Sequence, residues 1–413
     1  MKLKNRWLLK ALWQTSGQLR RSPGEVAGAG GGGWIAPFKN AAGASATISS
    51  DFELCWAWRS LSAAACQERG ETERNNIPFL IEVLNRTKVP ITWATVGHMF
   101  LDHCQTGADG RAHPEMPRPP KNRLFEGDWY RHDPCANVAK APGWYSPDLI
   151  QTILDSGVRH EFGTHSFSHI DFSQETSTPE LVDAEMAACV AAMRPFGLKP
   201  RSLVFCFNRP GYQHAERLFK AGITSVRHRD GMVRLAYPER TASGIYKLYE
   251  SMNLRLASRY DYVDKAKIFI EEAVKRGAAY HLWFHPSDDP RVFEQAFAPI
   301  VEYLAAQRDL NRVWICTMSE LAAYCEARRT TRVEPVPDPA GLLLKLTTDY
   351  DSRQYGETDL TLTIKCPRRP ASVSVRSADG GSTAPVSHYC YEQEAGNLIV
   401  NVSCRAAVVV VEI

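Results

Sequence analysis

Three sets of potentially reactive side chains each follow a different short, strand-like run. They are the carboxylate pair Asp51 and Glu53, the histidine pair His165 and His169, and the single histidine His285. In a barrel of alternating strands and helices, the carboxyl ends of the strands converge on one face, so residues far apart in sequence can share one site. The pattern predicts a metal-dependent hydrolase.

The histidine pair has a spacing that suits metal binding. His165 and His169 are four residues apart, which can place two imidazoles on one side of a helical turn. With one carboxylate they would form a three-ligand set that leaves a coordination position open for water and substrate, as in catalytic zinc sites. Glu161 and Asp171 stand nearby to hold the imidazole N–H groups. The alternative is a hydrogen-bonded structural pair, which the spacing alone suits equally well.

The carboxylates and the single histidine offer acid–base chemistry. Side chains alternate along a strand, so Asp51 and Glu53 point to the same side, where one can bind a metal while the other takes a proton. Surface carboxylates beside a helix start are the alternative, but the apolar residues 54–58 favour burial. His285 is either a hydrogen-bonded core residue or the acid that protonates a leaving amine.

Composition limits the class of protein. The 413 residues exceed the size at which one core keeps growing, which predicts one large domain and a smaller one. A net charge of +3 is too small to indicate a nucleic-acid partner. Eleven cysteines without a CxxC pair favour reduced thiols and a cytoplasmic location.

The amino-terminal region is basic and rich in glycine. Residues 1–44 are assigned to this segment, in which residues 27–33 consist only of glycine and alanine and are typical of a flexible linker. Residues 1–12 lack the apolar region of a signal peptide, but they could form a short basic helix in weak contact with a membrane surface, peripheral to the inner membrane. A solvated leader is the alternative.

The remainder divides into two parts. In residues 45–332, about seven short runs rich in apolar or β-branched residues alternate with helical patterns, which predicts an α/β fold with a parallel sheet or barrel. The seven runs are 47–50, 91–96, 158–163, 202–207, 223–227, 279–284 and 313–317. Three prolines in 332–339 mark a boundary, and the short strand-like runs in residues 333–413 predict a small all-β sandwich.

These motifs resemble those of the polysaccharide deacetylases with the NodB-homology fold, carbohydrate esterase family 4. The resemblance covers residues 47–326, and its most specific part is the segment from His160 to His169. Residues 50–53, 92–97 and 282–286 are similar to further motifs of the family. The resemblance implies a distorted seven-stranded (β/α) barrel and removal of an N-acetyl group from a sugar, here in the synthesis of a bacterial surface polysaccharide.

The resemblance also implies a role for each residue of the candidate site. Asp51 would be the general base, Glu53, His165 and His169 would hold a divalent metal, most simply Zn²⁺, and His285 would be the general acid. The roles of Asp51 and Glu53 could be exchanged.

The third motif departs from the family pattern. In residues 205–212 the commonest alignment places Phe207 where the family has an arginine that pairs with the base. Arg209 is predicted to serve instead, with Arg227 as another candidate. Tyr212 corresponds to the family tyrosine beside the oxyanion.

Aromatic side chains are candidates for contact with a sugar ring. Trp129 and Trp144 lie in a long insertion between residues 101 and 145, and Trp283 precedes His285 by two positions. With Tyr212 they are predicted to bind substrate, because long loops on an active face often shape the substrate site. The alternative is that the rings pin the insertion to the barrel.

Two other functions remain open from the sequence. The same barrel would support hydrolysis of another C–N bond, such as that of a cyclic amide. The altered third motif also allows a non-catalytic glycan-binding protein.

Overall fold

The structure is a computed structural model, and only part of the chain is described. The described residues are 33–229, 234–254, 261–338, 341–377, 383–386, 389–404 and 406–412. Most of the predicted amino-terminal segment, including the proposed membrane contact at residues 1–12, lies outside them. Within the described residues, no helix combines the length and the apolar character needed to cross a bilayer.

Nine α-helical segments occur in the described residues. In chain order they are α1 (Ala63–Thr87), α2 (Pro147–Leu154), α3 (Pro179–Met193), α4 (Ala215–Lys220), α5 (Tyr262–Arg276), α6 (Pro290–Val292), α7 (Ala298–Asp309), α8 (Met318–Thr330) and α9 (Ser352–Tyr355). A π-helical turn at Phe293–Phe297 joins α6 to α7. The predicted starts are observed: Pro147 and Pro179 begin α2 and α3, and the Thr178 side chain accepts the Leu181 N–H.

Eighteen strands occur in the same residues. They are β1 (Ala44–Phe52), β2 (Thr92–Thr95), β3 (Glu161–Thr164), β4 (Ser202–Val204), β5 (Ser225–His228), β6 (Glu239–Arg240), β7 (Tyr246–Tyr249), β8 (Met252–Asn253), β9 (Ala279–Phe284), β10 (Val313–Ile315), β11 (Thr331–Asp338), β12 (Gly341–Thr348), β13 (Asp359–Lys365), β14 (Ser372–Ser377), β15 (Thr383–Pro385), β16 (Tyr389–Glu392), β17 (Asn397–Ser403) and β18 (Ala406–Glu412).

The first ten strands form one curled sheet with β1 near its centre. Its order is β6-β7-β5-β4-β3-β2-β1-β9-β8, and β10 pairs with the first residues of β1. All pairs are parallel except β6 with β7. The fold is therefore α/β with a half-barrel sheet, and all nine residues of β1 are buried, as expected for a strand covered on both faces.

The sheet has ten strands where seven were expected. Each of the seven predicted runs overlaps one of its strands, and the three additional strands are β6, β7 and β8. Strand β7 pairs with β5, whereas β8, two residues further on, pairs with β9. The segment β7–β8 thus connects the two ends of the strand order, as expected of a curled sheet. Because strands β6 and β8 are short and irregular, they give no clear strand pattern in the sequence.

Two antiparallel sheets follow α8. One has the order β11-β12-β18-β14-β15 and the other β13-β17-β16. Residues 34–36 extend the second sheet, because the Ala36 N–H donates to Thr361 and the Thr363 N–H donates to Trp34. Tyr324 of α8 packs in the same apolar cluster as this region. The predicted division into units at residues 332 and 333 stays a prediction.

Candidate active site and metal centre

The candidate residues meet at the carboxyl ends of the strands. Asp51 lies near the end of β1 and Glu53 follows it, His165 follows β3, and His285 follows β9. His169 is in the loop after β3, where its φ of 59° turns the chain sharply. Parallel pairing of β1 with β9 and β2, and of β2 with β3, places these ends beside one another.

Glu53 lies between the two histidines. Its Oε1 atom is 2.8 Å from His165 Nε2 and 3.1 Å from His169 Nε2. All three residues are at most 3% exposed. The structure thus brings together the three side chains that were predicted to hold a metal.

The protons on His165 indicate that a cation fits among these groups. Its Nδ1 atom is 2.8 Å from the Val204 carbonyl oxygen, which can only accept, so Nδ1 carries a proton. The Nε2 lone pair of a neutral imidazole would then face the Glu53 carboxylate, acceptor against acceptor. A divalent cation resolves this conflict, and one carboxylate with two imidazoles is an ordinary donor set for zinc.

The pKa shifts of His165 and Glu53 also indicate that positive charge is favoured at this centre. Burial lowers the pKa of His165, but the neighbouring Cys206 and Glu53 outweigh it and raise that pKa well above its usual value. Burial raises the pKa of Glu53, and hydrogen bonds from His165 and His169 reverse this and hold the pKa well below its usual value. The centre therefore keeps its carboxylate ionised.

Asp51 is paired with Arg227 of β5. Both guanidinium Nη atoms reach the carboxylate, Nη2 at 2.7 Å from Oδ2. Asn208 accepts a further bond from Arg227 at 3.2 Å, and the guanidinium lies 4.1 Å from the centre of the Trp283 ring. Burial raises the pKa of Asp51, but Arg227 outweighs it and the pKa falls below the usual value.

Arg209 does not have the predicted position. Its half-exposed side chain pairs with Asp171, and Arg227, the other candidate, is the partner of Asp51. The cause is the turn after β4, in which Phe207 and Asn208 have φ values of 58° and 52°. This left-handed turn carries the chain past the site before Arg209 is reached.

His285 lies beside both carboxylates. Its Nε2 atom is 3.8 Å from Asp51 Oδ2 and 3.9 Å from Glu53 Oε2. At 20% exposure, its side chain is more accessible than those of Asp51 and Glu53, which are 4% exposed. An acid that must give a proton to a departing group needs such access.

The predicted aromatic contacts are corrected in part. Trp129 and Trp283 are 4% and 1% exposed, so neither offers a face on which a sugar could stack. Trp129 donates to Ser168 at 2.9 Å and lies against the Arg59 guanidinium, contacts that favour the alternative in which this ring pins the insertion. A ring that packs on a buried cation is unavailable to a ligand.

The other two predicted aromatic residues are partly exposed. Trp144 packs edge-on against Trp56, with ring centres 5.4 Å apart. The Tyr212 hydroxyl is 2.8 Å from His228 Nδ1, and its ring packs against Phe205. Their part in substrate binding stays a prediction.

Three residues without an assigned role in the sequence support the site. Glu73 of α1 accepts the backbone N–H groups of Glu53 and Leu54 at 2.8 and 3.1 Å. Glu185 of α3 accepts from the Ser168 amide at 2.9 Å, between the two histidines in the chain. Nothing in the sequence connects these acids to a strand end 20 residues or more away.

Cys206 is the third such residue. Its thiol lies close to both histidines, within 4.8 Å of a ring nitrogen of each. Burial raises the pKa of this thiol, but the two histidines outweigh it and lower the pKa to about 7. In the sequence, the only indication that Cys206 belongs to the site was its position in the altered third motif.

Comparison with known proteins agrees with the resemblance seen in the motifs. Residues 66–221 match the family model described as polysaccharide deacetylase. The match confirms the resemblance over this region, which is less than half of the chain. It includes the histidine pair but not Asp51, Glu53 or His285. A search of curated protein sequences finds no match.

Solved structures with a similar arrangement are distant in sequence. A protein of Mycobacterium smegmatis described as a polysaccharide deacetylase is 15% identical, with 74% of this chain and 98% of that chain covered and a TM-score of 0.49. Puue allantoinase is 12% identical, with 73% and 97% covered and a TM-score of 0.47. Similarities at this level carry no argument about activity.

Proposed function

We propose that the chain is a metal-dependent carbohydrate N-deacetylase that acts on an N-acetylated sugar in the synthesis of a bacterial surface polysaccharide, in the cytoplasm. One observation carries the proposal: Glu53, His165 and His169 converge beside an Asp51 that Arg227 keeps ionised, with His285 at the opening. The confirmed resemblance to polysaccharide deacetylases supports the reaction class.

The residues divide the chemistry of amide hydrolysis among them. Glu53, His165 and His169 would hold a divalent cation, most simply Zn²⁺, which supplies Lewis acidity toward the amide carbonyl oxygen when bound. Asp51 takes the proton from the attacking water, since its pKa is lowered and it is a carboxylate at neutral pH. His285 gives a proton to the departing sugar amine. Each proton transfer is typically worth about 10²- to 10⁴-fold in rate.

Metal content and acetate release test this proposal together. We expect His165→Ala to lose the ion of this centre and to release no acetate from any N-acetyl sugar in a panel. Asp51→Asn should retain the ion and lose turnover, because it removes the base but no ligand. His103→Ala, which changes an exposed histidine outside the site, is the control. Loss of the ion in Asp51→Asn would mean that the two acids have exchanged roles.

Hydrolysis of another amide bond is the second candidate. The burial of Trp129 and Trp283 favours it, because the open aromatic groove expected for a long glycan is not formed by these rings. A panel that includes cyclic amides distinguishes the two activities. Turnover of a cyclic amide without acetate release from sugars would replace the first candidate by the second.

A further inference from the structure

A second cluster of metal-ligating side chains lies in and beside the insertion at residues 101–145. Its members are His98, Cys104, His113 and Asp133, and one ligand atom of each lies within 4.8 Å of those of the others. We infer that this cluster is a second metal site, structural in role, that binds a zinc-type divalent ion and holds the insertion in place. It shares no residue with the proposed catalytic centre.

The distances match a set of ligands around one common point. His98 Nε2 and His113 Nε2 are 3.1 Å apart, and each is 3.0 Å from Asp133 Oδ2. Cys104 Sγ is 3.4 Å from the same oxygen. Four ligands bound to a tetrahedral ion at about 2.0–2.3 Å are separated from one another by only slightly more than the distances observed between these side chains. The four side chains therefore lie close enough together to share one tetrahedral ion.

Without an ion, the protons in this cluster conflict. If both histidines donate to Asp133 from Nε2, two N–H groups face each other at 3.1 Å. The Nδ1 atom of His113 would then be an acceptor, although it faces the Glu115 carboxylate at 3.5 Å. With an ion bound at both Nε2 atoms, His113 carries its proton on Nδ1 and points it toward Glu115. The conflict disappears.

The surrounding groups orient the proposed ligands. Asp133 Oδ1 accepts from the Cys135 amide at 2.9 Å and from the Tyr145 hydroxyl at 3.2 Å, which leaves Oδ2 directed at the histidines. In the same way, the Glu115 carboxylate faces His113 Nδ1 and leaves Nε2 directed at the proposed ion. Bonds of this kind from outside the ligand set are typical of protein metal sites.

The position of the cluster indicates what the ion would do. Residues 101–145 contain no helix or strand, and their backbone is ordered by turn hydrogen bonds and by isolated bridges such as His103 with Asn137. His98 precedes the insertion, so an ion would connect the insertion to the body of the fold. Imidazole and thiolate ligands favour zinc over magnesium or calcium.

Cobalt substitution tests the second site through metal stoichiometry and an absorption band, neither of which depends on enzyme activity. After chelation under reducing conditions and reloading with Co²⁺, the wild-type chain should bind two ions per chain and show thiolate-to-cobalt charge-transfer absorption. His165→Ala should bind one ion and keep this band. Cys104→Ser, which is nearly isosteric, should also bind one ion but lose the band, and so should His113→Ala.

The matched control is Cys135→Ser, because Cys135 is a neighbouring thiol of the same insertion and is not one of the four proposed ligands. It should keep both ions and the band. A single ion in the wild-type chain, or an unchanged band in Cys104→Ser, would overturn the inference. Because His165→Ala and Cys104→Ser report on different ions, failure of the second site is distinguishable from failure of the catalytic proposal.

Discussion

Asp51 is a carboxylate in an almost dry position, and Arg227 makes its ionisation favourable. Removing water from a single charge costs several kcal/mol, and a bidentate guanidinium offsets that cost through two charge-assisted hydrogen bonds. Asn208 and Trp283 also contact Arg227 and hold its guanidinium against Asp51. The proposed base therefore depends on a residue of a different strand.

Replacement of Arg227 tests this dependence. In Arg227→Met, a carboxylate that stays buried without its partner should lower the free energy of unfolding by about 3–5 kcal/mol. The pKa of Asp51 should rise, because the group that lowers it is gone. Since the carboxylate is the active form of a base, the acidic limb of the pH–rate profile should move to higher pH. Denaturant unfolding and initial rates measure the two effects.

Arg209→Met is the matched control for this change. Arg209 is half exposed and contacts Asp171, so we expect the free energy of unfolding to change by no more than about 1 kcal/mol, as for a surface ion pair. The acidic limb should not move. If Arg209→Met shifted the limb and Arg227→Met did not, Arg209 would be the partner of the base after all.

At this scale the sequence identifies the reactive groups better than their partners. The reactive side chains stand out because each lies at the carboxyl end of a strand or in the loop after one. They are Asp51, Glu53, His165, His169 and His285. The partner of Asp51 depends on the left-handed turn in the third motif, which neither residue type nor alignment reveals.

Helix α1 positions the end of β1 through a buried carboxylate. Glu73 accepts the amides of Glu53 and Leu54 at the point where the strand ends. Burial first, and then the charge of Glu53, raise the pKa of Glu73 well above its usual value. A helix that binds two consecutive amides in this way fixes the direction in which Glu53 points.

Glu73→Gln should therefore disturb the metal centre without removing a ligand. A glutamine can accept only one of the two amides, and the unsatisfied N–H should cost about 1–3 kcal/mol of stability. We expect weaker metal binding, measured by competition with a chelator, and a lower unfolding midpoint. Glu71→Gln, an exposed change on the same helix, should alter neither. Equal metal affinity in both variants would contradict a positioning role for Glu73.

Secondary structure was predictable where one pattern dominated. The seven predicted runs overlap strands that are mostly buried in a sheet covered on both sides, where apolar and β-branched residues are favoured. Proline after a capping residue gave the starts of α2 and α3. Strands β6 and β8 have two residues each and are recognised only through their neighbours in the sheet. Their pairing is a tertiary property.

The carboxyl-terminal sheets and the amino-terminal part of the described chain are joined. Residues 34–36 pair with β13, and the Tyr324 hydroxyl of α8 donates to the Ala36 carbonyl at 2.8 Å. Tyr355 also packs with residues of the curled sheet, and its hydroxyl contacts the Gly244 carbonyl. These contacts argue that the two parts unfold together.

Leu362→Ala tests whether the molecule unfolds as one unit. Leu362 is fully buried in β13 and pairs with Ile35, so the cavity left by the change should cost about 2–5 kcal/mol. We expect one calorimetric transition at a lower temperature, with loss of the bound metal at that same temperature. Leu310→Ala, at a position 66% exposed, should leave the transition nearly unchanged. A separate early transition that leaves the metal bound would instead mean that the carboxyl-terminal sheets fold independently of the α/β part.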